Sequence, residues 1–175
     1  EIDDFVWEIP GIHNVENATA AIALLNNFGV DFETLKKGIA SFKGIKRRYT
    51  KHNFESGKIY IDDYAHHPTE LNAVIGSIKT FYPHKKLLVV FQPHLFSRTR
   101  DFADGFAESL DKADELILLD IYPARELQEN FEGITSDWLL EKVILEKKEI
   151  STLDEAFSKI KSKDFDVLLT VGAGN

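Results

Sequence analysis

Three short apolar runs, Leu87–Phe91, Leu116–Leu119 and Val167–Val171, of which only the last is interrupted, by Thr170, constrain the fold of this chain more than any other feature. A strand with one wet face alternates apolar and polar residues, whereas a strand covered on both faces reads as continuous hydrophobics. The stretches between the runs read as helices: Thr69–Tyr82 ended by Pro83, Phe102–Leu110 with Asp101 as a candidate cap, and Ser136–Leu145. A further helix through Ile160 opens at Ser151-Thr152-Leu153-Asp154, which has the form of a capping box. Buried strands alternating with helices imply an α/β fold on a doubly wound, mostly parallel sheet. Residues 48–54 and 58–62 read as two more strands, joined as a hairpin at Ser56-Gly57.

The first 43 residues differ in character. Residues 17–28 read as an alanine-rich helix stopped by Gly29. Asp31 can cap a second helix with Phe32, Leu35, Ile39 and Phe42 on one face, ended by Gly44. Two helices with no strand between them, followed by a strand–helix alternation, suggest the end of one domain and most of another. A length of 175 residues suits that division.

Zero cysteines exclude disulfides, cysteine-ligated zinc and thiol nucleophiles. No apolar run approaches the ~18–20 residues that span a bilayer, and no leader peptide is evident, so a cytoplasmic location without membrane contact is expected. A net charge of −8 argues against nucleic acid as a partner. The charge is unevenly spread. Residues 1–43 carry 3 basic and 7 acidic side chains, residues 44–100 carry 10 and 4, and residues 101–175 carry 8 and 18. An electropositive middle third in an acidic chain suits an anionic small-molecule site.

Four clusters lie where such a sheet would use them, since ligands bind at the carboxyl ends of the strands. Residues 59–70 run from a strand through Asp62, Asp63, His66, His67 and Pro68 into a helix. Adjacent residues at a strand end point to opposite faces, so the two acids and two histidines cannot all converge on one metal ion; no metal site is expected. Residues 11–17, with His13, Asn14 and Asn17, precede the first helix and offer amides suited to a heterocycle edge or to capping. Residues 46–49 place Arg47 and Arg48 at a strand start, where an arginine fork can hold phosphate. Residues 91–100 carry His94, Arg98 and Arg100 just beyond a buried strand. The arginines lie two apart, so both reach one ligand only if the backbone is not helical. Gly172-Ala173-Gly174 permits close backbone approach but is no complete dinucleotide fingerprint.

Six segments in order, GIHNVENATAAIA (11–23), FKGIKRRY (42–49), DDYAHHPTE (62–70), VFQPHLFSRTRDF (90–102), LLDIYPARE (118–126) and LTVGAG (169–174), resemble the Mur ligases of peptidoglycan synthesis, most closely the branch that adds L-alanine to UDP-N-acetylmuramate. The resemblance covers nearly the whole chain. It implies that residues 1–43 end the central ATPase domain and that 44–175 form the Rossmann-like C-terminal domain. In that family ATP, with Mg²⁺, phosphorylates the muramoyl carboxylate, and the amine of the amino acid attacks the acyl phosphate after domain closure. By resemblance His13, Asn14 and Asn17 lie near the adenine, Arg48 reaches the terminal phosphate, and Asp63 lies near the ribose. His66 and His67 sit at the domain junction, and His94 and Arg98 hold the alanine carboxylate or the acyl group. Many relatives carry arginine where this chain has Leu95, a departure for which Arg98 or Arg100 is expected to compensate. No glycine-rich P-loop occurs, so these residues alone are expected to be inactive.

Three other readings stand beside this one. The related ligase that attaches a whole tripeptide to the same sugar shares the DD-aromatic-AHHP pattern. A standalone nucleotide-binding module and a metal-dependent hydrolase built on Asp62, Asp63, His66 and His67 come from different classes.

Overall fold

The computed structural model describes Ile9 and residues 12–174, apart from the side chain of His13. Two helices, α1 (Ile12–Asn27) and α2 (Phe32–Ser41), precede the sheet domain. The hairpin β1 (Thr50–Asn53) and β2 (Ile59–Asp63) follows, then α3 (Pro68–Phe81) and β3 (Leu87–Phe91). Next come α4 (Phe96–Asp101), α5 (Ala103–Leu110), β4 (Glu115–Leu119) and α6 (Ser136–Lys142). The chain closes with β5 (Lys148–Ser151), α7 (Leu153–Lys161) and β6 (Val167–Val171).

The six strands lie in the order β1-β2-β6-β3-β4-β5, with β1 antiparallel to β2 and every other pair parallel. β6 therefore fills a gap between β2 and β3, which are consecutive in sequence. That is the reversal point of a doubly wound sheet, and its crevice opens at the carboxyl ends of β2, β6 and β3. One face packs Leu71, Ile75, Phe106, Leu110 and Leu139 from the helices against Ile61, Val89, Phe91, Leu116, Leu118 and Leu169. On the other face Leu88, Val90, Ile117 and Leu119 meet Ala156 and Ile160. Alternate residues of β3 thus serve two cores, which is why Leu87–Phe91 is buried throughout. Each such side chain contributes on the order of 1.5–3 kcal/mol.

Several elements depart from expectation. β5 was not expected, because Lys148-Glu149-Ile150-Ser151 has one apolar side chain. Its charge suits an edge strand, and Glu149 is held by Lys159 (3.3 Å) and Lys163. The segment 96–101 is helical, so Asp101 ends α4 rather than capping the next helix; Phe102 takes the N-cap position without a side-chain bond. α6 stops at Lys142, not Leu145. The cap of α7 is Thr152, accepting from the amide of Glu155 (3.3 Å), one residue beyond the expected box. α1 begins at Ile12, so Asn14 and Asn17 ride on the helix instead of preceding it. Gly29 (φ +87°) and the Asp31 cap, accepting from the Thr34 amide at 3.0 Å, behave as expected. In α2 only Leu35 is buried, and Ile12, Leu24, Leu25 and Phe28 of the α1 region are exposed.

Candidate functional site

Residues 46–49 enter the functional edge through a strained turn. Arg47 (φ +58°) and Tyr49 (φ +55°) both adopt the left-handed region, at a cost of roughly 1–2 kcal/mol each for residues with a Cβ. Hydrogen bonds from three directions hold it. The amide of Tyr49 donates to Asp63 Oδ2 (2.7 Å), the amide of Tyr64 donates to the Arg47 carbonyl (2.7 Å), and Arg47 Nη2 donates to the Gly172 carbonyl (2.7 Å). Arg47 Nε also lies 3.6 Å from Asp62. The turn stacks both guanidinium groups over the Tyr64 ring, at 5.1 Å for Arg47 and 5.6 Å for Arg48. Arg48 remains half exposed, 3.9 Å from Glu70.

Asp63 continues the inward row of Ile59 and Ile61, while Asp62 faces the other side and accepts from Thr170 Oγ1 (3.2 Å). The two acids diverge as strand geometry requires. Asp63 Oδ1 accepts from the amide of Ala65 (2.8 Å), so each carboxylate oxygen already holds a backbone amide. Burial pushes its carboxyl up from the usual carboxylate value, and the two amides and Arg48 offset this only in part.

Pro68 stands at the first position of α3, where its missing N–H costs nothing. His67 is the N-cap: its Nδ1 accepts from the amide of Thr69 (3.3 Å), a role that needs that nitrogen unprotonated. Its ring packs edge-on against Phe102 at 4.7 Å. Glu70 completes the box, accepting from the amides of His66 (2.9 Å) and His67 (3.2 Å). Burial raises the Glu70 pKa, but those amides and the charges of His66 and Arg48 outweigh it and the net direction is down. An ionised Glu70 therefore ties the Arg48 turn to the start of α3.

A cavity of about 470 Å³ lies between α1, the 42–48 link and α3. Asn14, Asn17, Arg48, Asp63 and Glu70 line it together with the apolar Phe42, Ile45 and Val74. Four of the residues singled out in the sequence thus share one cavity. The side chain of His13, expected beside them, lies outside the described residues.

A second cluster forms beyond β3. Among the described residues, His94 Nδ1 and Arg98 Nη1 are buried without a hydrogen-bond partner. Native interiors rarely leave such groups unpaired, and each orphan costs about 1–3 kcal/mol. The His94 ring stacks on Tyr122 (5.5 Å, 22°) and meets His66 edge-on at 6.5 Å. Burial, then the charges of Arg98 and His66, hold the His94 imidazole below its ordinary value of 6.5, so it is neutral at pH 7. His66 Nδ1 lies 2.9 Å from the Tyr64 carbonyl and 3.3 Å from Glu70, linking this cluster to the cavity. Because 96–101 is helical, Arg98 and Arg100 diverge. Arg100 is exposed, bonded to Asp101 (2.8 Å) and set over the Phe131 ring, so it does not stand in at this cluster for the cation that Leu95 lacks.

The glycine turn after β6 is packed rather than open. A Cβ on Gly172 (φ +144°) would stand 2.8 Å from the Gln92 carbonyl, and one on Gly174 would stand 2.3 Å from Gln92 Oε1. Among the described residues no three histidine or carboxylate side chains are grouped to hold a metal ion. Sequence reasoning missed Tyr64, Glu70 and Tyr122. Only Glu70 carried a signal, as the third residue after a cap and a first-position proline.

Comparison with known proteins identifies the family. The family model "Mur ligase, glutamate ligase domain" matches residues 47–174. The chain is 50% identical over 172 residues to UDP-N-acetylmuramate–L-alanine ligase of Flavobacterium johnsoniae, covering 98% of the chain and 38% of that protein. It is equally similar, 50% over 174 residues, to the ligase of the same name from Flavobacterium psychrophilum, covering 99% and 38%. The crystal structure of UDP-N-acetylmuramate-alanine ligase from Thermotoga maritima superposes with a TM-score of 0.75 at 29% identity, over 97% of the chain and 36% of that structure. The chain thus spans a little over a third of the length of these relatives. On the family match across most of its length and the six-stranded sheet that bears it, the chain belongs to the Mur ligase family.

Proposed function

We propose that this chain is the C-terminal part of an ATP-dependent ligase that joins L-alanine to UDP-N-acetylmuramate through an acyl phosphate, in the cytoplasmic stage of peptidoglycan synthesis. Residues 1–43 end its central ATPase domain and 44–175 form its C-terminal domain. The observation that carries the reading is the single cavity shared by Asn14, Asn17, Arg48 and Asp63 between the N-terminal helices and the sheet domain.

The lining fits an adenine nucleotide: an apolar slot of Phe42, Ile45 and Val74 for the ring, amides for its edge, and a half-exposed guanidinium for phosphate. Bound ATP supplies the phosphoryl group that activates the muramoyl carboxylate. Arg48 neutralises charge on the phosphates, and Glu70 and Tyr64 hold its guanidinium in place. Asp63 acts chiefly by fixing the turn that carries Arg48, with its cavity-facing edge near the ribose. Neutral His94 and the orphaned Nη1 of Arg98 receive the carboxylate of alanine, and His66 bridges the two regions. The Mg²⁺ ligands lie mainly outside these residues. No glycine-rich P-loop is present, so the reading predicts no ATP turnover by this chain alone.

The relatives at 50% identity are named as alanine ligases, which supports alanine over the tripeptide as the joined group. In the full-length enzyme, ADP release should require both UDP-N-acetylmuramate and L-alanine. Arg48→Ala should lower kcat roughly 10²–10³-fold, the scale of losing one preorganised charge contact, with an unchanged circular dichroism spectrum. Near-normal kinetics in that variant, or a preference for tripeptide over alanine, would overturn the reading.

A further inference from the structure

The loop 120–131, leaving the end of β4, is fastened to the His94–Arg98 segment at several points. The amide of Leu95 donates to the Tyr122 carbonyl (2.9 Å), and the amide of Tyr122 donates to the Pro93 carbonyl (2.8 Å). His94 and Tyr122 stack at 5.5 Å, and Phe96 and Phe131 stack at 5.8 Å. The Glu126 carboxylate accepts from the amide of Ser97 (3.0 Å) and from its hydroxyl. Ala124 reverses the backbone (φ +52°) between the Tyr122 and Glu126 anchors. Arg125 follows that reversal. It is exposed, and among the described residues it makes no ion pair or hydrogen bond.

The loop that carries this cation is anchored at His94 and at Ser97, the neighbour of Arg98 with its buried and unpartnered guanidinium nitrogen, and stability alone gives little reason for a cation there. Gathering positive charge there is unfavourable without an anion, and the charge of Arg125 already acts on His94 in the same direction as those of Arg98 and His66. Glu126 offsets part of this, but both its oxygens are committed to Ser97. A carboxylate offers lone pairs on two oxygens, enough for Arg98 and a second arginine from the solvent side.

Resting on the reading of the His94–Arg98 cluster as the amino-acid site, we infer that Arg125 is a specificity-determining residue. It closes over the carboxylate of the incoming α-amino acid opposite Arg98, and Glu126 is the positioning residue that holds its loop there. The site then recognises the carboxylate by two arginines from different elements, β4's loop and α4. Amines lacking a carboxylate forgo both contacts.

The test uses the full-length enzyme with L-alanine and L-alaninamide as alternative amines. Arg125→Ala should raise KM for L-alanine at least tenfold, leave KM for ATP and for UDP-N-acetylmuramate within twofold, and barely alter turnover of L-alaninamide. Arg125→Lys should recover much of the alanine KM, because charge is kept. An unchanged alanine KM, or equal losses with both amines, would overturn the assignment. Arg98→Ala serves as the comparator. If it raises the alanine KM and Arg125→Ala does not, only the Arg125 inference fails; if neither does, the amino-acid site itself lies elsewhere.

Discussion

Asp63 illustrates how a side chain at a candidate site can act by holding backbone. Both its oxygens accept from amides, those of Tyr49 and Ala65, and the first of these sits in a left-handed conformation that needs such a hold. Its raised pKa means that the folded state binds its proton more tightly than the unfolded chain does. The stability it contributes is therefore full below the ordinary carboxylate value and declines as pH rises through the raised one. At neutral pH the buried charge is tolerated because the amides require acceptors. Replacing Asp63 by alanine orphans two donors, at about 1–3 kcal/mol each. Asp63→Ala should thus cost about 2–6 kcal/mol in urea unfolding without any nucleotide present. A loss under about 0.5 kcal/mol would show that the residue serves ligand alone. The Asp-Asp-Tyr-Ala-His-His run announced chemistry, yet which acid faced the core followed only from the register of β2 on β6. His67 and Glu70 likewise carry the same letters whether they bind ligand or cap α3; the fold assigned His67 to the cap and gave Glu70 a second contact at Arg48.

At the scale of elements, the loops after β2, β3 and β6 form one interlocked edge. Gly172 is its least forgiving point, with φ +144° and room for no Cβ beside the Gln92 backbone carbonyl. Gly174 has an even shorter approach, but to the end of the Gln92 side chain, which can swing away. Gly172→Ala should therefore destabilise by roughly 1–3 kcal/mol, the cost of a residue forced into such a region, while Gly174→Ala should cost clearly less. Thermal melts of both variants check this, and equal losses would mean that Gln92 is as rigid as the backbone. The helices and buried strands of this domain were legible because apolar period and punctuation survive in sequence. β5 was not, since an edge strand is stabilised by pairing with β4 and by lysines from beyond its own span. The helical turn at 96–101 was equally hidden, and with it the divergence of Arg98 and Arg100.

Across the whole molecule, burial is uneven. The central strands β3 and β4 are buried on both faces, whereas α1 and α2 meet mainly each other and expose Ile12, Leu24, Leu25 and Phe28. Native-state hydrogen exchange should show β3, β4 and β6 amides opening only with global unfolding, and α1 amides exchanging with a much smaller free energy. Equal protection of α1 would contradict this uneven stability. By itself the sequence determined the α/β class, because hydrophobic period is a local property, and the family, because its six motif segments are legible in order. Only the tertiary structure decided that Asn14, Asn17, Arg48 and Asp63 share a cavity, that His94 and Arg98 keep unpaired buried nitrogens, and that the loop carrying Arg125 is fastened to Ser97 through Glu126. Those facts depend on strand order and register, which bring together residues as far apart as Arg47 and Gly172, and no local pattern encodes them.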